Sequence, residues 1–248
     1  MSELIHVVRD GAVQSIRFNR AEKKNAITGE MYAAISTAMI AAEADATIRV
    51  HVLFGSGGVF TAGNDLADFL KSGSIMTDSS NITQFLKLVA GLEKPLIAGV
   101  DGLAVGVGTT LLMHCDMVYA SPASWFQTPF TALGLVPEAG SSFLGPRIMG
   151  HALAFELLVA GGKFSAEKAL MAGLLNAVVP SESLEAETMK AAVKLAGLPP
   201  EAVKISKRLL KGDAGAVVQR IEDEVALFAE RLHSEEAQAA VRAFFQRS

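Results

Sequence analysis

Two loops and one acid hold most of the chemical potential in this 248-residue sequence. The loops are Phe60-Thr61-Ala62-Gly63-Asn64-Asp65-Leu66 and Asp101-Gly102-Leu103-Ala104-Val105-Gly106-Val107-Gly108, and each follows a run that reads as a buried strand. A segment that leaves a strand and turns into a helix presents unpaired backbone N–H groups, which can stabilise a developing oxyanion. Two such segments on neighbouring strands can aim two donors at one carbonyl oxygen. Tight turns and helix–sheet contacts would use the same glycines, and by themselves the loops favour that plainer role. The acid is Glu138, in Val136-Pro137-Glu138-Ala139-Gly140. Its apolar neighbours Phe126, Phe130, Leu133, Leu135 and Val136 would partly desolvate it, raising its pKa toward general-base strength. By itself the position favours a plainer role, complementing the dipole of a helix over Ala139 to Met149, worth about 0.3 to 1 kcal/mol. Asp65 reads as a helix cap and Asp116 as a helix-to-strand junction, neither with a catalytic part.

These groups must be held by an alternating framework. Leu4 to Arg9 and Ala12 to Phe18 are β-rich runs joined by Asp10-Gly11, a strong hairpin signal. Met31, Ile35, Met39 and Ala42 recur at helical spacing between Gly29 and Ala44, and a buried strand follows at Val50 to Phe54. A second cycle runs from Asp78 through the stripe Ile82, Phe85, Leu86 and Val89 to Pro95 and a strand at Leu96 to Val100. Strands at Met117 to Ala120, Trp125 to Gln127 and Asn176 to Val179 complete an α/β pattern with a parallel sheet. Beyond Pro180, alanine-rich charged helices are expected over Leu184 to Leu195, Pro200 to Leu210 and Gly215 to Phe245, the last with Ile221, Val225, Phe228 and Leu232 on one face.

Composition narrows the function classes. Half of the residues are apolar, 19% are charged, and 22 basic against 26 acidic residues leave a net charge of −4. That balance offers no counterion-release footprint for nucleic acid. Cys115 is the sole cysteine, which excludes an internal disulfide and thiolate zinc, and the five histidines show no metal-ligand spacing. No phosphate-binding loop, H-E-x-x-H helix or G-x-S-x-G elbow is present, and Leu111 stands where a dinucleotide fingerprint needs its third glycine. Leu96 to Met113 approaches membrane-spanning length, but four glycines and Asp101 point instead to a strand, a turn and a helix start. The amino terminus reads as neither a secretory nor a transit signal, so a cytoplasmic location is expected.

Five ordered blocks resemble the crotonase, or enoyl-CoA hydratase/isomerase, superfamily: Asn19-Arg20 through Asn25-Ala26, FTAGNDL at 60–66, GLAVGVGTTLLMHCDMVYA at 102–120, FQTPFTALGLVPEAGSS at 126–142 and FSAEKALMAGLLNAVVP at 164–180. The resemblance implies a crotonase-like ββα superhelix with a C-terminal helical region, divided as an acyl-CoA-binding core over 1–195 and an oligomerisation or lid region over 196–248. It further implies an acyl-CoA thioester substrate, CoA being part of that substrate and no other cofactor or metal being needed. By position, the N–H groups of Asn64 and Val107 would form the oxyanion hole. Ala62, Gly63, Asp65, Leu66 and Phe130 would contact substrate, and the basic cluster Lys204, Lys207, Arg208 and Lys211 would either meet CoA phosphates or be a solvated face. Homotrimers, or pairs of trimers, are implied as well.

The departures from the family pattern are informative. Hydratases of this family carry two glutamates at the positions filled here by Thr110 and Phe130, neither of which exchanges a proton at neutral pH. Glu138 lies eight residues beyond the second of them, and this placement resembles the peroxisomal-type Δ3,Δ2-enoyl-CoA isomerases, in which one glutamate shuttles the proton. A hydratase or other thioester-enolate enzyme is the alternative within the family. A non-catalytic acyl-CoA-binding or RNA-associated member of the fold is the alternative from a different class.

Overall fold

The computed structural model describes residues 3–65 and 80–247, with side chains described as far as residue 243. Strands β1 (Ile5–Asp10) and β2 (Val13–Phe18) form the expected antiparallel hairpin, turning at Gly11 with φ 55°. Helix α1 (Gly29–Ala44) is capped by Thr28, whose hydroxyl accepts from the Met31 N–H, and it buries Met31, Tyr32, Ile35, Met39 and Ala42. Strand β3 (Val50–Phe54) follows, then α2 (Asn81–Gly91) with Ser80 as its cap, then β4 (Leu96–Val100). Asp78, where the sequence suggests that this second helix begins, lies outside the described residues.

Two further strands, β6 (Met117–Ala120) and β9 (Ala177–Val178), complete a six-stranded sheet in the order β1-β2-β3-β4-β6-β9, parallel from β2 onward. Both faces of this sheet are covered, which is why β3 and β4 are apolar almost throughout. Leu53 and Ala98 face the large core shared with α1 and α2. Val50, Val52, Phe54 and Ile97 face the other way, against Ala192 and Ala196 of α6 (Leu184–Ala196). The two-residue alternation of a strand produces this division directly.

A second, three-stranded sheet, β5-β7-β8, is built from β5 (Leu103–Val105), β7 (Trp125–Gln127) and β8 (Phe164–Ser165). Of these, β7 falls where the sequence places it, whereas β5 lies inside the second glycine-containing segment and β8 is only two residues long. Between the strands lie α3 (Val107–Thr110), α4 (Ser141–Leu158) and α5 (Ala166–Met171). Helix α4 is two helices meeting at Gly150, whose φ 75° and ψ 163° suit only glycine, so the expected end at Met149 marks the kink. Helices α7 (Pro200–Lys211), α8 (Ala214–Leu232) and α9 (Glu235–Arg247) form the tail. The helical run expected over Gly215 to Phe245 is therefore broken at His233-Ser234, where the Ser234 hydroxyl accepts from the Ala237 N–H and starts the final helix. Val217, Ile221, Val225, Phe228 and Ala237 of the tail belong to the same core as the sheet. No helix of the described residues is long and apolar enough to cross a membrane, and the Leu96 to Met113 stretch is divided among β4, β5, α3 and a 3-10 turn.

Candidate active site

The two glycine-containing loops adjoin. Thr61 and Ala104 form a parallel bridge, so Asn64 and Val107 each stand three residues beyond a paired position. A Cβ added at Gly63 would lie 2.6 Å from the Val105 carbonyl oxygen, and one at Gly108 would lie 2.5 Å from Thr61 Cγ2. These two glycines are thus required by close approach of the loops, and Gly63 also by its φ of 90°. Neither the Asn64 N–H nor the Val107 N–H donates to another described residue. Val107 opens α3 immediately after Gly106, whose φ 57° and ψ −123° turn the chain out of β5.

Asn19-Arg20 through Asn25-Ala26 explains how the first loop is held. Asn25 is fully buried in the left-handed conformation, φ 54°. Its Oδ1 accepts from the Arg20 N–H and the Ser56 hydroxyl, while its Nδ2 donates to the carbonyls of Ser56 and Val59. The Thr61 hydroxyl donates to the Asn25 carbonyl and accepts from the Gly63 N–H. Ala62 donates its N–H to the Lys24 carbonyl, and Ile27 pairs with the segment on either side of Asn64. Arg20 reaches Asp65 at 2.6 Å. Asp65 also donates its N–H to the Ile27 carbonyl, while the capping expected of it and its neighbour Leu66 lie outside the described residues. Tyr32, fully buried on α1, donates its hydroxyl to Asn64 Oδ1 at 2.6 Å.

Glu138 is almost completely buried, with 1% of its surface exposed. Thr110, which stands where a hydratase glutamate would be, donates its hydroxyl to Glu138 Oε1 at 2.5 Å. The other oxygen, Oε2, has no hydrogen-bond partner among the described residues. Burial pushes the Glu138 carboxyl up to about 8; the Thr110 hydrogen bond opposes that shift and the charge of Glu224 adds to it. Tyr32 is likewise pushed up, by burial first and by Glu138 second, which places the two groups in one electrostatic environment. Phe130 is buried at the start of a 3-10 turn in the same core.

The helix-dipole role considered for Glu138 belongs to another residue. Helix α4 begins after Gly140, which has no capping side chain, and the carboxylate that accepts from its N–H at 2.6 Å and from Ser142 at 3.0 Å is that of Glu224 on α8. The basic cluster is also corrected in part: Lys207 is buried, donates to the Lys94 carbonyl and pairs with Asp116 at 2.9 Å, and Lys211 donates to the His114 carbonyl. Lys204 pairs with Glu93 and Glu201 at the surface. Asp116 sits at the junction before β6 as expected, where its carboxylate also accepts from the Leu96 N–H. Cys115 is pushed up to about 12 by burial, a packed thiol. No group of three or more metal-ligating side chains occurs among the described residues.

The loops and Glu138 are visible in the sequence, whereas Asn25 as a hub, Tyr32 and Glu224 are not. Tyr32 shows there only as a member of a helical stretch. Glu224 lies 84 positions beyond the Gly140 whose N–H it accepts, with no local pattern linking them.

A parallel sheet edged by a hairpin, a second small sheet, two abutting glycine-containing loops and a buried carboxylate beside them define a crotonase-type α/β scaffold with a helical tail. A model of the enoyl-CoA hydratase/isomerase family matches residues 9–248, and the chain belongs to that family. It is 37% identical to enoyl-CoA delta isomerase 2 of Rattus norvegicus over 99% of this chain, and 31% identical to 2,3-dehydroadipyl-CoA hydratase of Escherichia coli over 100% of this chain and 97% of that protein. The chain spans less than two thirds of the mammalian isomerase's length, 64% of the rat protein. The solved structure of an enoyl-CoA hydratase/isomerase from Pseudoalteromonas atlantica superposes with a TM-score of 0.94 at 41% identity, covering 99% of this chain and 98% of that one.

Proposed function

We propose that this chain is a Δ3,Δ2-enoyl-CoA isomerase in which Glu138 alone shuttles the proton. The observation that carries this reading is the state of Glu138: buried, held through Oε1 by Thr110, with Oε2 unpartnered among the described residues. The carboxylate takes a proton from C2 of a 3-enoyl thioester, the electron pair moves onto the thioester oxygen as a dienolate, and the same carboxyl returns the proton at C4. Nothing else is consumed, so no redox partner is required. The N–H groups of Asn64 and Val107 receive the oxyanion, with Ala62, Gly63, Asp65, Leu66 and Phe130 as substrate contacts. Removing one donor from such a hole typically costs about 2.7 to 4 kcal/mol of transition-state stabilisation.

A raised carboxyl pKa suits this task, because a base near the operating pH both removes and returns a proton effectively. Hydration is the second reading, favoured by the name of the Escherichia coli relative. Thr110 and Phe130 weigh against it, since neither can activate water beside Glu138. Glu138→Gln keeps the side chain's size and removes the base, so isomerase turnover should fall at least about a hundredfold while acyl-CoA still binds. A spectrophotometric assay offering 3-enoyl-CoA and 2-enoyl-CoA separately tests the assignment. Consumption of only the second, or a Glu138→Gln variant turning over within a few-fold of the native rate, refutes it. The assembly we propose is a homotrimer or a dimer of trimers, which light scattering at micromolar concentration should report; a monomer would contradict it.

A further inference from the structure

We propose that Glu224, on tail helix α8, is a positioning residue for the proton shuttle, clamping the strained turn that carries Glu138. This inference rests on the assignment of Glu138 as the base, and it concerns a residue that the reaction itself does not require.

Glu138 precedes two consecutive residues with positive φ, Ala139 at 61° and Gly140 at 69°. Glycine takes that conformation freely, whereas alanine there is strained and persists only where surrounding contacts impose it. Those contacts come from two distant elements. His114, on the 3-10 turn after α3, sets its ring Nε2 2.7 Å from the Ala139 carbonyl. From the other side, Glu224 accepts from the N–H groups of Gly140 and Ser142 with its two oxygens. The Ser141 N–H closes the turn on the Glu138 carbonyl at 3.1 Å. Glu224 is itself 5% exposed, and Arg220, one turn earlier, donates to the Ser142 hydroxyl and steadies the same helix start. A carboxylate buried this deeply is costly unless its hydrogen bonds are made, so the two backbone donors and the Glu224 oxygens hold each other in register.

The placement has an electrostatic consequence for the base. Glu138 faces Tyr32 from α1, while His114 from the 3-10 turn after α3 and Glu224 from α8 hold the turn beside it. Burial pushes the Glu224 carboxyl up, and its hydrogen bonds from Ser142 and Gly140 and the charge of Arg220 oppose that rise, whereas Lys87 of α2 meets α8 at Glu222, at 2.7 Å. His114 is held down to about 4 by burial, so it is neutral across the working range. Among these, the Glu224 carboxylate is the charge that adds to the rise at Glu138. One side chain thereby orients the base and helps to tune it.

The test uses Glu224→Gln, which keeps the shape and one acceptor oxygen but removes the charge, and Glu224→Ala, which removes the clamp. With 3-enoyl-CoA, Glu224→Ala should lower kcat at least about tenfold with KM changed less than about twofold, because a misplaced base loses rate rather than binding. Glu224→Gln should retain more of kcat than Glu224→Ala, and the acid limb of its kcat/KM profile should move to lower pH. A substrate-free cycle measures the coupling independently. The stability difference between the native protein and Glu138→Gln, followed from pH 5 to 9 by chemical denaturation, should level off at a lower pH when both carry Glu224→Gln. If Glu138→Gln abolishes turnover but both Glu224 variants keep the native kcat, acid limb and cycle, the positioning role is wrong and the isomerase reading stands. If Glu138→Gln leaves turnover intact, the isomerase reading fails and the cycle alone decides the coupling. Should Glu224→Ala fail to fold, Glu224→Gln decides, and an unmoved acid limb and cycle overturn the proposal.

Discussion

At Glu138, burial and catalysis pull against folding. Its carboxyl has an ordinary pKa of 4.5 and is pushed up to about 8 in the folded chain. Well below 4.5 it is neutral whether folded or unfolded, and its ionisation costs the fold nothing. Between 4.5 and about 8 the folded chain keeps a proton that the unfolded chain releases, so stability falls as pH rises through that window. Above about 8 the full penalty is present. Glu138→Gln should therefore match the native protein in stability near pH 4 and exceed it by up to about 5 kcal/mol at pH 9, as read by denaturant unfolding at each pH. The same ionisation governs rate: kcat/KM should rise with pH through about 8, since only the carboxylate removes the C2 proton. A native profile that is flat from pH 6 to 9 would contradict both expectations.

At the scale of elements, the active geometry depends on two loops that touch. Gly63 packs onto the Val105 carbonyl at a φ of 90°, so any side chain there forces the first loop off the second. Gly63→Ala should leave the circular dichroism spectrum native and lower turnover about a hundredfold, the loss expected when a donor pair is displaced by up to about an ångström. Activity within about threefold of native would show that the loops do not set the site. Local patterns are legible here: the hairpin, α1 and strands β3 and β4 fall where periodicity places them. The misses have physical causes. Strand β8 is only two residues long, β5 lies inside the second glycine-containing segment and so reads as loop, and the Ser234 cap that breaks the tail run sits in a stretch whose composition is helical on both sides. The lysines of α7 read as a charged face because sequence alone does not show that Lys207 and Lys211 reach backbone carbonyls of the core.

For the whole molecule, the tail is joined to the core that supports the site. Phe228 on α8 is 3% exposed within the cluster that also contains Phe130 and Leu111. Phe228→Ala should cost about 3 to 5 kcal/mol and shift one cooperative transition rather than release the tail alone. Two separated transitions in calorimetry would show that α8 melts independently. This dependence also places Glu224, and with it the turn under Glu138, under the control of a segment far along the chain.

The sequence by itself determined the α/β alternation, the two glycine-bearing loops, the acid at 138 and the family to which they belong, because each of these is a local pattern of residue types. Tertiary structure alone decided that Thr110 holds Glu138, that Tyr32 holds Asn64, and that Glu224 rather than Glu138 caps α4. Desolvation and hydrogen bonding depend on what surrounds a group in space, and those surroundings are brought together only when distant segments pack.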